Sequence, residues 1–332
     1  MNEAAIRAAI ARLTAAPAAG VFEPTPGGSP EPMSPVERLA ARVCARQWRR
    51  SRVDPQTLAD IRAKIAAAIE AGAPLEFAVP FGGYKGALQP SAPELDWAEV
   101  FWIGHLRRYA ETVAGHHAAG VLFSLSYFHG VLGDINGVPP GDQDRYVAGL
   151  RALLARFSDA LIAFRLVDLS TQFGGAAGAV AAIDSRFREM RAALADGASV
   201  PPLAVHSAAR NLARDVSEAV PTAEEIEASA LRCAAMESLE ERRCFNKYGP
   251  RIQITHIRGA SLSLHLGSCA TSIMQPWVGT GVLESDGQGQ WRPRILNGRI
   301  AGIDGHLAVR HPLEEVSPAL RCVPLRNGGV PG

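Results

Sequence analysis

The segment Leu75-Glu-Phe-Ala-Val-Pro-Phe-Gly-Gly-Tyr-Lys-Gly86 combines an apolar run with a glycine loop and a lysine. Its apolar half, Leu75–Val79, is short and stops at Pro80, which is typical of a buried strand. Two glycines and Lys85 follow, so the strand runs into a loop whose backbone can approach a ligand closely. Ligands of open parallel sheets bind at the carboxyl ends of the strands. We therefore expect Lys85 to lie at a ligand-binding edge.

Lys85 is unusual because the sequence almost avoids lysine. Among 34 basic residues, lysine stands only at Lys64, Lys85 and Lys247. An amine can lose its proton or form a Schiff base when its pKa falls, whereas a guanidinium can do neither. Lys85 is therefore a candidate acid–base group, and compositional drift is the alternative explanation. Lys64 lies within a helical pattern and is expected to be a solvated surface residue.

Strand and helix patterns alternate around this loop. Helices are predicted over Val36–Arg50, Asp96–Val113 and Asp142–Phe157, and strands over Gly120–Phe128 and Ala160–Leu169. The order strand, helix, strand, helix, strand after residue 75 is typical of a parallel sheet with crossover helices. We predict an α/β fold with a Rossmann-like sheet.

The two ends of the chain differ from this middle part in composition. Residues 1–35 predict an N-terminal helix and a linker rich in proline and glycine, and residues 36–175 predict the α/β catalytic core. Residues 176–332 predict a helical segment, followed by short, mostly antiparallel strands that complete the active site. Within that segment, Thr222 and Glu225 have the spacing of a capping box at a helix start.

Composition narrows the classes of partner. The net charge of +1 and the pI near 7.8 offer no electrostatic attraction for nucleic acid or an anionic membrane. No apolar run is long enough to span a bilayer. The five cysteines are dispersed, which favours a reducing cytoplasm over a disulfide framework or a zinc site. We expect a cytoplasmic protein with small-molecule substrates and no metal, nucleic-acid or membrane partner. The composition is compatible with a homodimer.

Further polar residues follow strands in the predicted sheet. His129 and Asp134 follow the second strand, where a histidine exchanges protons near neutral pH and a carboxylate binds an amine. Lys247 and Arg251 flank the turn before a later strand and suit a phosphate or carboxylate. His256 lies at the end of that strand, as a proton shuttle or as a core histidine.

Aromatic surface is predicted near the C-terminal strands. Pro276-Trp277 interrupts a strand pattern and presents a large ring. The ring of Trp277 is either packed in the core or forms a wall of the substrate pocket.

The order of several motifs resembles the isocyanide (isonitrile) synthases, the family that includes the pyoverdine and dityrosine biosynthesis proteins. These proteins have a Pro-Phe-Lys loop after an early strand, and later an Arg-x-x-x-Ile-His strand and a Thr-Pro-Trp-His segment. The corresponding segments span roughly residues 74 to 285 and are Pro80-Phe81 with Lys85, Glu94–Glu99, Ser126–Asp134, Asp144–Tyr146, Arg251–His256 and Gln275–Val278.

The resemblance implies an enzyme of bacterial specialised metabolism. In that reaction the amine of an amino acid condenses with the ketone of ribulose 5-phosphate, and one sugar carbon becomes the isocyanide carbon, without a metal or redox cofactor. The resemblance also implies roles for particular residues, namely acid–base or phosphate work for Lys85, proton transfer for His129 and His256, anion binding for Lys247 and Arg251, amine binding for Asp134, and substrate contact for Tyr84 and Trp277.

Three departures from the family pattern keep other functions open. Gly82–Tyr84 is inserted ahead of Lys85, Phe128-His129 replaces an aspartate, and Val278 replaces a histidine. One alternative is the same fold with different transfer or condensation chemistry on an amino acid or amine. Another is a non-catalytic protein that binds a small molecule or assembles with a partner through the proline-rich arm.

Overall fold

A computed structural model describes most of the chain between residues 33 and 308. The described residues are 33–85, 92–131, 135, 138–199, 222–240, 249–255, 262–266, 276–285, 291–297 and 307–308. The predicted N-terminal helix and nearly all of the predicted linker lie outside these ranges. In the described part of the chain, none of the helices combines the length and the apolar character needed to cross a membrane.

Helices and strands alternate as the sequence predicts. The helices are α1 (Pro35–Val43), α2 (Pro55–Glu70), α3 (Trp97–Ala114), α4 (Pro140–Phe157), α5 (Ala176–Ala195) and α6 (Ala223–Leu239). The strands are β1 (Leu75–Pro80), β2 (Val121–Tyr127), β3 (Ile162–Asp168), β4 (Ile252–Thr255), β5 (Ser263–His265), β6 (Gly279–Ser285), β7 (Trp291–Asn297) and β8 (Leu307–Ala308). Short 3₁₀ helices cover Arg46–Trp48, Leu169–Phe173 and Pro276–Val278.

Local signals at the helix starts explain where the helices begin. Asp54 caps α2 by accepting a hydrogen bond from the backbone N–H of Thr57 at 2.9 Å, and Pro55 occupies the first helical position, where its missing N–H has no cost. The predicted capping box of Thr222 and Glu225 opens α6. Such caps satisfy N–H groups that have no partner within the helix.

The helix predicted over Val36–Arg50 is shorter than expected. α1 ends at Val43, and Ala45 is extended before the 3₁₀ turn. Nε of Arg49 donates to the carbonyl of Cys44 at 2.7 Å, so a side chain takes the place of the next helical hydrogen bond. This closure of the helix end by a side chain five residues along has no signature in the hydrophobic pattern.

Five parallel strands form the main sheet, in the order β3-β2-β1-β4-β5. The predicted α/β class with crossover helices is confirmed. β4 and β5 extend this parallel sheet, whereas β6, β7 and β8 form a separate antiparallel sheet in the order β7-β6-β8. The chain winds from β1 to β3 in one direction and then returns to the free side of β1. The crevice of an open sheet lies at such a reversal, here between β1 and β4.

One face of the sheet carries the main hydrophobic core. Alternate side chains of the strands point to this face, where they pack against α1, α2, α3 and α4. Phe77 and Phe123 stack at 5.2 Å between ring centroids, and Phe123 stacks on Phe164 at 5.1 Å. A second cluster joins α5 and α6 to the segment after β2. The layering places the N-terminus of α3 beside the carboxyl end of β1.

Lys64 differs from its prediction as a solvated residue. Its side chain on α2 is only 6% exposed, and Nζ lies 2.7 Å from Oδ2 of Asp60 one turn earlier. The prediction was wrong because helical spacing identifies the apolar stripe of α2 but not how far neighbouring elements cover the helix beside that stripe.

Candidate active site

The loop after β1 turns back into the protein at its two glycines. Gly83 has φ +72°, a conformation that glycine adopts at little cost, and a Cβ at this position would lie 2.6 Å from the ring of Tyr127. Gly82 lies directly against the indole ring of Trp277. The close packing on both sides directs Lys85 inward, towards the start of α3.

The amine of Lys85 is held by two carboxylates and a carbonyl. Nζ lies 2.8 Å and 3.1 Å from the two carboxylate oxygens of Glu99 and 3.1 Å from Oδ2 of Asp96. It also donates to the backbone carbonyl of Pro276 at 3.0 Å. The side chains of all three charged residues are completely buried. Lys85, on the loop after β1, therefore contacts both α3 and the segment before β6.

The capping box of α3 supplies both carboxylates. The side chain of Asp96 accepts from the N–H of Ala98 at 2.6 Å, and Glu99 accepts from the N–H of Asp96 at 2.8 Å. Asp96 also accepts from the N–H of Gly281 on β6 at 3.3 Å. Tyr146 of α4 donates its hydroxyl to Glu99 at 3.0 Å. The capping box that begins α3 thus also provides the two negative charges that lie against Lys85.

This cluster can hold a proton near neutral pH. If all three groups are ionised, one amine faces two carboxylates, which leaves a buried net charge of −1. Burial raises the pKa of Glu99 to about 7; Lys85 opposes the rise and Asp96 adds to it. Burial and the neighbouring Glu99 raise the pKa of Tyr146 well above its ordinary value. Glu99 can therefore exchange a proton near neutral pH.

His129 lies at the same edge of the sheet, just after β2. Its backbone N–H donates to Oδ1 of Asp168 at 3.1 Å, and Nε2 lies 3.4 Å from Oδ1 of Asp144. The ring is 6.2 Å from that of Tyr127, which in turn contacts Gly83. The structure thus brings the Lys85 loop and His129 to neighbouring positions at the carboxyl edge.

Arg251 is not brought together with Lys85. It precedes β4, at the opposite end of the strands, and its Nε lies 3.5 Å from Oε1 of Glu76. Glu76 lies on the face of the sheet opposite the main core, whereas the partners of Lys85 belong to α3 on the core side. The anion site predicted for Arg251 would therefore be separate from the amine of Lys85.

Of the two aromatic residues predicted to contact substrate, Trp277 lies in the core and Tyr84 lies at its border. Trp277 is 7% exposed and meets Phe81 edge-on, with 5.0 Å between ring centroids. Tyr84 is partly buried against the same cluster. Asp134, Lys247 and His256 lie outside the described residues. Within the described ranges, no group of three His, Cys, Asp or Glu side chains is placed to hold a metal ion.

The sequence analysis assigned no role to the partners of Lys85, namely Asp96, Glu99 and Tyr146, although all three lie in segments that resemble the family's motifs. A signal was available for the first two, because Asp-x-x-Glu just before an apolar helix is a capping box. Nothing in the sequence marks that box as the counter-charge of a lysine in the preceding loop. Tyr146 lies at an apolar helical position, where a core role is the ordinary expectation.

Replacing Gly83 by alanine should lower the free energy of unfolding by about 1–3 kcal/mol. The reason is twofold: the backbone is left-handed here, and the added methyl would meet Tyr127. Urea denaturation measures the change. Gly141→Ala is the matched control, since no heavy atom outside its immediate neighbours lies near that position. Equal stability of Gly83→Ala and the wild type would contradict the constraint placed on this loop.

Comparison with known proteins supports the fold. No protein-family model matches the sequence, and no curated protein matches it significantly. Among solved structures, the chain is similar to the crystal structure of the PvcA protein from Pseudomonas aeruginosa, with a TM-score of 0.59 and 17% identity over 78% of this chain and 92% of that chain. Tyrosyl-tRNA synthetase from Aeropyrum pernix has a TM-score of only 0.30 at 13% identity, over 62% and 51% of the two chains. The chain therefore has a fold similar to that of PvcA.

Proposed function

We propose that the protein is a biosynthetic enzyme of the isocyanide-synthase type, which condenses an amino-acid amine with the ketone of a sugar phosphate. Two independent lines support this proposal. The sequence resembles that family in the order of its motifs. The fold is similar to that of PvcA, a protein of the pyoverdine and isocyanide-synthase type.

The first step of such a condensation defines what the site must do. The amine nitrogen attacks the carbonyl carbon, the C=O π bond opens, and the resulting carbinolamine loses water to give an imine. Two protons leave the nitrogen in turn, one as the carbinolamine forms and one as it dehydrates, and the former carbonyl oxygen takes up two and departs as water. A side chain with a pKa near neutrality is best suited both to accept a proton from the nitrogen and to donate one to the oxygen.

The observation that carries the proposal is the buried cluster of Lys85, Glu99 and Tyr146 at the carboxyl edge of β1. Its carboxyl group has a pKa of about 7, and the cluster is held on the glycine loop beside the reversal between β1 and β4. In this proposal the pair of Lys85 and Glu99 supplies and accepts protons, and His129 relays them at the exposed side of the edge.

A second function is favoured by the complete burial of Lys85. Its amine already contacts three acceptors, so it has no free direction in which to bind a phosphate. The alternative is the same fold with different condensation chemistry, in which Lys85 only positions the glycine loop and no pentose phosphate is required.

Product formation tests the proposed function directly. Purified protein is incubated with single amino acids and uniformly ¹³C-labelled ribulose 5-phosphate, and products are followed by mass spectrometry. We expect a product from at least one amino acid that retains one labelled carbon. Inactivity with every amino acid, together with no calorimetric binding of ribulose 5-phosphate, would refute the proposal.

The pH profile separates the two functions. If Glu99 exchanges a proton during the reaction, the rate should show an inflection near pH 7. Tyr146→Phe removes a hydrogen bond that favours the charged carboxylate, so the inflection should move to higher pH. Product formed with an unchanged profile in Tyr146→Phe would assign the cluster to positioning alone.

A further inference from the structure

The turn after β2 is held by side chains from other elements of the fold. Phe128 and His129 follow β2 directly, and Gly130 has the left-handed backbone of a turn, with φ +68°. The backbone groups of a tight turn often bond to one another. Three of them here bond instead to side chains on α4 and at the end of β3. The place of His129 therefore depends on α4 and β3 as well as on its own loop.

Gln143 of α4 holds the backbone on both sides of His129. Its Nε2 donates to the carbonyl of Phe128 at 2.9 Å, and its Oε1 accepts from the N–H of Gly130 at 2.8 Å. Only one orientation of the amide makes both bonds, because rotation by 180° would set like groups against each other. Gln143 is only 2% exposed, so water cannot readily replace these bonds. One buried side chain thus fixes the peptide groups before and after His129.

Asp168 adds a third bond to the same turn. Its Oδ1 accepts from the backbone N–H of His129 at 3.1 Å. The same carboxylate accepts from the N–H and the hydroxyl of Ser170, at 2.9 Å and 2.8 Å, and these two bonds keep it in place. The backbone of His129 is therefore attached to α4 and to β3 at once.

The imidazole of His129 is accessible although its backbone is held. The side chain is 41% exposed, whereas the neighbouring Phe128 is buried. Nδ1 is buried and has no hydrogen-bond partner among the described residues, so protons enter and leave the ring at Nε2. Nε2 lies 3.4 Å from Oδ1 of Asp144, but that carboxylate is 65% exposed and solvent screens the pair. The buried bonds to the backbone therefore position His129 more firmly than Asp144 does.

A fixed imidazole at this place suits proton transfer. The ring meets that of Tyr127 edge-on, and Tyr127 contacts Gly83 in the loop that leads to Lys85. An acid–base group must lie within hydrogen-bond reach of the atom that it serves, and a displacement of about 1 Å lowers a rate substantially. Bonds that hold the backbone of such a group therefore contribute to catalysis without touching the substrate.

We propose that Gln143 is a positioning residue, which holds His129 for proton exchange at Nε2. Asp168 supports the same turn from β3. The use of His129 in proton transfer rests on the proposed function, whereas the positioning of its ring can be measured without any reaction.

Kinetics of Gln143→Met test this role. Methionine keeps the length and the burial of the side chain but makes neither hydrogen bond. We expect kcat to fall by about 10- to 100-fold, because His129 is displaced. The KM values should change by less than about twofold, since Gln143 does not bind substrate. His129→Gln should lower kcat by about 100-fold or more.

Tyr109→Phe is the matched control, because it also removes a buried hydrogen bond to a backbone carbonyl, that of Val43 in the main core. It should leave kcat and KM unchanged. If Gln143→Met does not fold, Gln143→Glu replaces it, since it keeps the acceptor for Gly130 and loses only the donor to Phe128. An unchanged kcat in the folded Gln143 variant overturns the proposal.

A double variant shows whether Gln143 acts through His129. Adding Gln143→Met to His129→Gln should change kcat by less than about twofold, because the ring whose position matters is already absent. A purely structural role of Gln143 would lower kcat by the same factor with and without His129, and that result would refute the assignment.

NMR of the imidazole groups measures the positioning without any reaction. The resonances of His129, assigned by their absence in His129→Gln, should form one sharp set in the wild type. They should shift or broaden in Gln143→Met and stay unchanged in Tyr109→Phe. Unchanged resonances in Gln143→Met reject the positioning role, whether or not the wild type forms a product. Altered resonances, together with no product from the wild type, keep the positioning role and reject the proposed reaction.

Discussion

Replacing Lys85 by methionine should lower the free energy of unfolding by about 3–5 kcal/mol, measured by denaturation at a pH above the Glu99 pKa of about 7. The substitution keeps the length of the side chain but removes the positive charge that lies against both Asp96 and Glu99. Two carboxylates would remain completely buried beside one another. Removal of one partner from a buried ion pair is costly because the remaining charge is neither solvated nor paired.

The matched control is Arg62→Met. Arg62 pairs with Glu37 at 2.8 Å, and both side chains are more than 40% exposed. Solvent screens that pair, so its loss should cost at most about 1 kcal/mol. The difference between the two variants should shrink below about pH 5, because the carboxylates left by Lys85→Met can then take up protons. Equal losses in both variants would show that the Lys85 cluster does not stabilise the fold.

The second large effect concerns pH. The contribution of Glu99 to stability should fall by a few kcal/mol as pH rises from about 4.5 to about 7. The folded protein holds a proton on Glu99 in this window, whereas the unfolded chain has released it. Stability from a raised carboxyl pKa is therefore complete below the unfolded value and is lost as pH passes the folded value.

The comparison of wild type with Glu99→Gln isolates this effect. Glutamine has the same shape and does not titrate, so the variant should lack the fall that Glu99 contributes to the stability curve between those two pH values. Glu37→Gln, at an exposed position on α1, should leave the curve unchanged. Parallel curves for wild type and Glu99→Gln would mean that Glu99 is already ionised throughout this range in the folded protein.

The two effects and the proposed reaction depend on one buried cluster. The charges that stabilise the glycine loop are also the groups that can move a proton near neutral pH. Variants that remove Lys85 will therefore affect folding and catalysis together. The pH profile of Tyr146→Phe separates catalysis from stability better, because this substitution removes one hydroxyl and leaves the charges of the cluster in place.

The fold was largely predictable because its signals are local. The short apolar runs predicted as strands became β1, β2 and β3, and α2, α3 and α6 begin at caps that can be identified in the sequence. The direction of β4 and β5 was not predictable. A strand of three or four residues is too short to show a clear hydrophobic pattern. Its direction depends on which strand it pairs with, and β4 pairs in parallel with the side of β1 that β2 does not occupy.

The sequence alone determined where Lys85 stands: on a glycine loop, at the carboxyl end of a parallel strand, in a chain with almost no other lysine. The contacts of Lys85, in contrast, depend on the folded arrangement of distant segments. Its partners lie 14 and 191 residues away, and burial between them moves the pKa of Glu99. The same holds for Glu76, Ser124 and Arg165, whose side chains meet across three strands of the main sheet. Local spacing specifies backbone conformation, whereas contacts, burial and pKa depend on segments that are brought together only by folding.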